Sequence, residues 1–76
     1  MKDLVEFLAR SLVDDADAVE IHPVERDQAT VLELSVAPDD LGKVIGRQGR
    51  TARAMRTILA AAASRSRRRY VLDIVD

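Results

Sequence analysis

The apolar residues of this chain change their period along its length, and the order of those periods limits the fold more than any other feature. Val5, Leu8, Ala9 and Leu12 recur at the spacing of one helical face, behind Asp3, which reads as an N-cap with Glu6 as its capping-box partner. That helix is predicted to end near Val13. The period then drops to two, because Val19 and Ile21 alternate with Glu20 and His22 as in a half-buried strand. Pro23 has no N–H to give, so this strand is expected to fray or to lie at a sheet edge there. After the polar turn Arg26-Asp27-Gln28, Leu32, Leu34 and Val36 alternate with Val31, Glu33 and Ser35, and the two runs read as a hairpin. Ala37-Pro38-Asp39-Asp40 opens a short helix, with proline in its first turn and two carboxylates at the positive end of its dipole. Gly42 weakens that helix and Gly46 ends it. A longer helix is predicted from Arg50 to about Ser64, with Ala52, Met55, Leu59 and Ala62 facing inward. Tyr70 to Val75 is a final strand rich in β-branched residues, so the predicted order is α-β-β-α-α-β.

At 76 residues the chain has room for one small core, burying roughly 60% of its unfolded surface, which argues against a large enclosed catalytic cavity. It has no cysteine, hence no disulfide framework, no thiolate nucleophile and no cysteine-held zinc, and a reducing cytoplasm fits it best. No apolar run nears the ~20 residues of a membrane span, and Met1-Lys2-Asp3-Leu4 turns acidic at once instead of opening a signal peptide. Asp14, Asp15 and Asp17 lack the glycine and terminal glutamate of a calcium loop and read as a solvated turn. His22, the only histidine, has no serine or cysteine nearby to activate, so a surface or sheet role is expected of it. Catalytic residues, metal ligands and cofactors are accordingly expected to be none.

A formal net charge of −1 conceals a division. Residues 1–42 carry eleven acids against three bases, whereas residues 43–72 carry nine bases and no acid. Such a stretch repels itself unless something anionic offsets it, and phosphate is the usual partner. The alternative is that the acidic part of the chain folds against the basic part and neutralises it internally. Arg67-Arg68-Arg69 is open in the same way, either a second nucleic-acid contact or a charged lead-in to an edge strand.

The chemistry concentrates at the joint between the two central helices, Lys43-Val44-Ile45-Gly46-Arg47-Gln48-Gly49-Arg50. Two glycines around two polar residues permit unusual φ values and let another backbone approach without a Cβ in the way. The next helix begins there, so its free N–H groups, with Arg47 and Arg50, suit a phosphodiester. A Gly-x-x-Gly spacing alone is weak and often marks only a helical turn. Here it follows the apolar pair Val44-Ile45, is flanked by bases on both sides, and sits between two helices after a hairpin.

That segment strongly resembles the signature loop of KH domains, and the element order resembles their bacterial type II arrangement. The likeness covers essentially the whole chain and is closest to small stand-alone bacterial KH-domain RNA-binding proteins. It implies an α+β fold, one type II KH domain over residues 1–76, with three helices packed on one face of a three-stranded mixed sheet. It further implies that about four nucleotides of single-stranded RNA lie across the joint. On that likeness Gly46 and Gly49 permit close approach, and Arg47, Gln48 and Arg50 meet phosphate. Lys43 and Arg53 flank the track, while Val44, Ile45 and apolar positions of the second strand form the floor under the bases. Ala52 departs from the larger aliphatic residue many KH domains carry there, which implies a shallower groove. Phe7 and Tyr70 are the only aromatic residues, and neither is an evident stacking platform, which fits a KH groove better than an RRM or an OB-fold. Weak, poorly selective binding is expected, with a slope of log affinity on log salt of roughly −2 to −3 for three or four neutralised phosphates.

Three functions are weighed. The first is RNA binding through the glycine joint, as an RNA chaperone or post-transcriptional regulator. The second is a protein-interaction subunit, a homodimer or a heterodimer with a larger KH-containing RNA-binding protein, with little RNA affinity of its own. The third, a phosphoryl-handling enzyme, is disfavoured because the basic stretch from Lys43 to Leu72 offers neither a carboxylate base nor a metal ligand.

Overall fold

Helix α1 spans Lys2–Leu12 in the computed structural model, which describes residues 1–76, and its buried residues Val5 and Ala9 lie four apart on one face. Asp3 is not its N-cap: the helix starts one residue earlier, Met1 precedes it, and no side chain caps it. Asp3 instead places its charge in the first turn, and Glu6 pairs with Arg10 one turn on, at 3.1 Å. Strand β1, Glu20–Glu25, pairs antiparallel with β2, Ala29–Ser35, across the turn at residues 26–28. Strand β1 runs through Pro23 without fraying, because it is an outer strand and a missing N–H on such a strand can face away from the ladder.

A 3₁₀ turn at Pro38–Asp40 leads into α2, Leu41–Ile45, and a second at Arg47–Gly49 leads into α3, Arg50–Ala62. Strand β3, Arg69–Ile74, then lies parallel to β2, giving the order β1-β2-β3 and the expected mixed sheet. Along β2 every second residue is buried, at Thr30, Leu32 and Leu34, and the same face carries Ile21 of β1 and Leu72 of β3. Val5, Ala9, Val44, Met55 and Leu59 from the three helices meet them in one core, so the helices share one face of the sheet. Ala62, expected on the inner face of α3, is exposed because it lies in the last turn, beyond the last core residue Leu59.

The fold positions the joint in two ways. Val44 anchors α2 from within, at 0% exposure, and Met55 and Leu59 anchor α3, so the turn between these helices hangs on two packed elements. The second constraint is Asp40, buried at 2% exposure, whose carboxylate accepts the N–H of Asp14 (3.3 Å) and of Asp15 (3.0 Å). This ties the end of α1 to the start of α2.

Candidate nucleic-acid interface

The joint from Gly46 to Gly49 is held in left-handed backbone. Gly46 has φ +76° and ψ 170°, Gln48 φ 58° and Gly49 φ 75°, so three of its four residues lie where L side chains rarely go. A Cβ on Gly46 would lie 2.2 Å from Thr51 Oγ1 and 2.8 Å from the Thr51 backbone nitrogen, which no real contact tolerates. At Gly49 nothing lies within 4 Å of the corresponding point, so that glycine is required for its φ alone. The Gly46 N–H donates to the Gly42 carbonyl (2.8 Å) and the Gly49 N–H to that of Gly46 (3.1 Å), which closes the turn.

Side chains around this turn divide into exposed and committed ones. Arg47, Gln48, Arg50 and Arg53 are exposed, and Arg53 reaches the Gln48 carbonyl at 3.5 Å from the first turns of α3. Ile45, 37% exposed, leaves an apolar surface beside them. Val44 is fully buried and supports the turn from below instead of forming a floor that a base could touch. Lys43 is held too: its ammonium donates to Asp14 at 2.5 Å and to Asp40 at 3.0 Å. Asp14 and then Asp40 raise the Lys43 pKa. The Asp15 N–H and then the Lys43 ammonium hold the Asp40 carboxyl below its ordinary value, against the opposing pull of burial. Asp14, read from sequence as part of a solvated turn, and Asp40, read as a dipole partner, are thus one clamp on α2. Nothing in the local spacing pairs residues 14 and 43.

The charge question resolves at the same surface. Of the nine bases between residues 43 and 72, only Lys43 and Arg68 form ion pairs, so the acidic region neutralises two of them and leaves seven arginines without a carboxylate partner. The apolar residues of β2 offered as a groove floor are closed off, since Leu32 is 1% and Leu34 0% exposed. Ala52, at 4%, is buried as well and does not set the depth of an open groove. One open recess lies between α3 and β3, a cavity of about 450 Å³ whose walls include Arg56, Ala60, Arg67, Arg69, Tyr70 and Val71. Tyr70 stands half-buried in that wall.

A second recess is apolar. Leu8 and Leu12 of α1 and Ala54, Met55 and Ile58 of α3 border a groove of about 200 Å³, where Leu12 is 39% and Ile58 44% exposed. Phe7, on the same helix as Leu8, is 68% exposed.

Comparison with known proteins matches residues 2–74 to the model of the KhpA/KhpB KH domain. The RNA-binding protein KhpA of Clostridium acetobutylicum is 51% identical over 75 residues, covering 99% of this chain and 100% of that protein. The protein of the same name from Halalkalibacterium halodurans is 51% identical over 76 residues, the full length of both. That from Aquifex aeolicus is 49% identical over 76 residues, 100% of this chain and 96% of that one.

Proposed function

The chain belongs to the KhpA/KhpB KH-domain family, and on that premise we propose that it binds single-stranded RNA, with the turn from Gly46 to Gly49 as a clamp on about four nucleotides of backbone. The observation that carries this reading is the left-handed turn opening α3 beside arginines that no carboxylate of the chain neutralises. Gly46 and Gly49 let a phosphodiester approach the main chain, while Arg47, Gln48 and Arg50 donate to its oxygens. Arg53 flanks the track and Ile45 offers apolar contact. Lys43 and Val44 act at one remove, the first by orienting α2 through Asp14 and Asp40, the second by anchoring the turn in the core. The relatives' name is that of RNA-binding proteins, not of an enzyme family, which supports this reading. The wider role is that of a cytoplasmic RNA chaperone or post-transcriptional regulator, performed by residues 1–76 as one KH domain.

Amide chemical-shift mapping during titration with oligouridylate tests this directly. Shifts centred on residues 45–53 are expected. Shifts confined to α1 would overturn the clamp.

The apolar groove between α1 and α3 supports a second, compatible role as a pairing surface for a second copy of the chain or for a larger KH-containing RNA-binding protein. Two weak RNA sites in one assembly would gain affinity through effective concentration.

A further inference from the structure

Glycine permits a left-handed turn but does not hold one, because without a Cβ it leaves that region as readily as it enters it. Gly46 and Gly49 occupy two of the four positions of the joint, and Gln48, at φ 58°, stands where an ordinary side chain is strained. Left to itself such a turn would sample other conformations, and an RNA backbone would have to order it on arrival. The main chain closes it with two hydrogen bonds, from the Gly46 N–H to the Gly42 carbonyl and from the Gly49 N–H to the Gly46 carbonyl. A side chain from the next element then meets it.

That side chain is Thr51, at the second position of α3. Its Oγ1 lies 2.2 Å and its Cβ 2.7 Å from the point that a Gly46 Cβ would occupy, so the space that the glycine leaves empty is filled by the threonine. Other demands on Thr51 are few. It is half-buried and lies outside the core cluster, and it borders the groove between α1 and α3, not the recess between α3 and β3. Its hydroxyl makes no hydrogen bond, whereas that of Thr57 donates to the Arg53 carbonyl one turn back at 3.0 Å, the usual habit of a threonine within a helix. Alanine would suit this helical position better than threonine does. What threonine adds is a branch at Cβ, which restricts χ1 and makes the surface against Gly46 a stiff one.

We propose that Thr51 is the positioning residue of the glycine turn: its branched side chain wedges against Gly46 and keeps the turn in the conformation that admits a phosphodiester before RNA arrives. The role requires no contact between Thr51 and RNA. This inference deepens the RNA reading above and rests on it, so its test includes an arm without RNA.

The test compares Thr51→Ala and Thr51→Val with wild type by melting curves, by amide nitrogen relaxation dispersion of the free proteins, and by anisotropy with a labelled octauridylate. Alanine removes the wedge and favours the helix, so Thr51→Ala is expected to melt no lower than wild type. It is expected to show microsecond-to-millisecond exchange at the amides of Gly46 to Gly49 that wild type lacks. Its RNA affinity should fall several-fold, with Kd rising as the inverse of the fraction of turn still in the competent conformation. Valine exchanges the hydroxyl for a methyl group on the same branch and should restore both the quiet turn and the affinity. A Thr51→Ala protein that melts lower but binds as wild type would make Thr51 a stability residue and overturn the proposal, as would wild-type exchange and affinity together; the clamp would survive either result. If Thr51→Val binds as weakly as Thr51→Ala, the hydroxyl acts and the wedge falls. If wild type does not bind octauridylate, the RNA reading falls and takes with it the role of Thr51 in binding, while the exchange data still decide whether Thr51 holds the turn.

Discussion

Gly46 and Gly49 look alike in the sequence but are required for different reasons. Gly46 combines φ +76° with a Thr51 side chain where its Cβ would be, whereas Gly49 needs only its φ of +75°. Gly49→Ala should therefore cost about 1–2 kcal/mol, the penalty of one left-handed residue, and Gly46→Ala distinctly more, because Thr51 must move as well. Urea unfolding of the two variants checks the order, and a larger loss at Gly49 would contradict it. The glycine pair was legible from spacing and context because its demands are local. The ion pairing of Lys43 was not, since its partner Asp14 lies 29 residues away in sequence. Arg68 was hidden similarly, because its partners lie on a turn about half the chain away.

Among the elements, α2 is short and depends on its tie to the end of α1. The Asp40 carboxyl is held below its ordinary 3.8, so its contribution to stability is fully present above that pH and is lost as pH falls below it. Lys43 is raised above 10.5, so its contribution is present below that pH and lost above it. Asp40→Asn should lower the urea midpoint at neutral pH and flatten its fall in acid; an acid limb as steep as wild type's would show that the clamp is not what titrates. If the groove between α1 and α3 is the proposed pairing surface, Ile58→Glu should reduce self-association in sedimentation without lowering the melting temperature. Unchanged association would remove this groove from the pairing surface. All six elements were legible from local signals, apolar periodicity for α1, β1, β2 and α3, the proline and carboxylates for α2, and β-branched content for β3, all of which depend on neighbours in sequence. The misplaced details were an N-cap at Asp3, an inward Ala62 and a β2 floor, each decided by where an element ends or by what covers it.

Over the whole molecule the sequence divides into an acidic and a basic region, and folding does not merge them. Seven arginines stay without carboxylate partners, spread from the glycine turn along α3 to the start of β3. The division could be counted from the sequence, but the number left unpaired depends on which side chains meet in space. Electrostatic attraction to a polyanion should therefore dominate binding and weaken with salt at a slope of roughly −2 to −3 if the clamp meets three or four phosphates. The most direct measurement is anisotropy of a labelled unstructured RNA with wild type and with the Arg47→Asp/Gln48→Asp protein, both glycines kept, at low and physiological salt. The clamp predicts salt-sensitive binding by wild type and its loss in a variant that remains folded. Equal binding by the two proteins would contradict it.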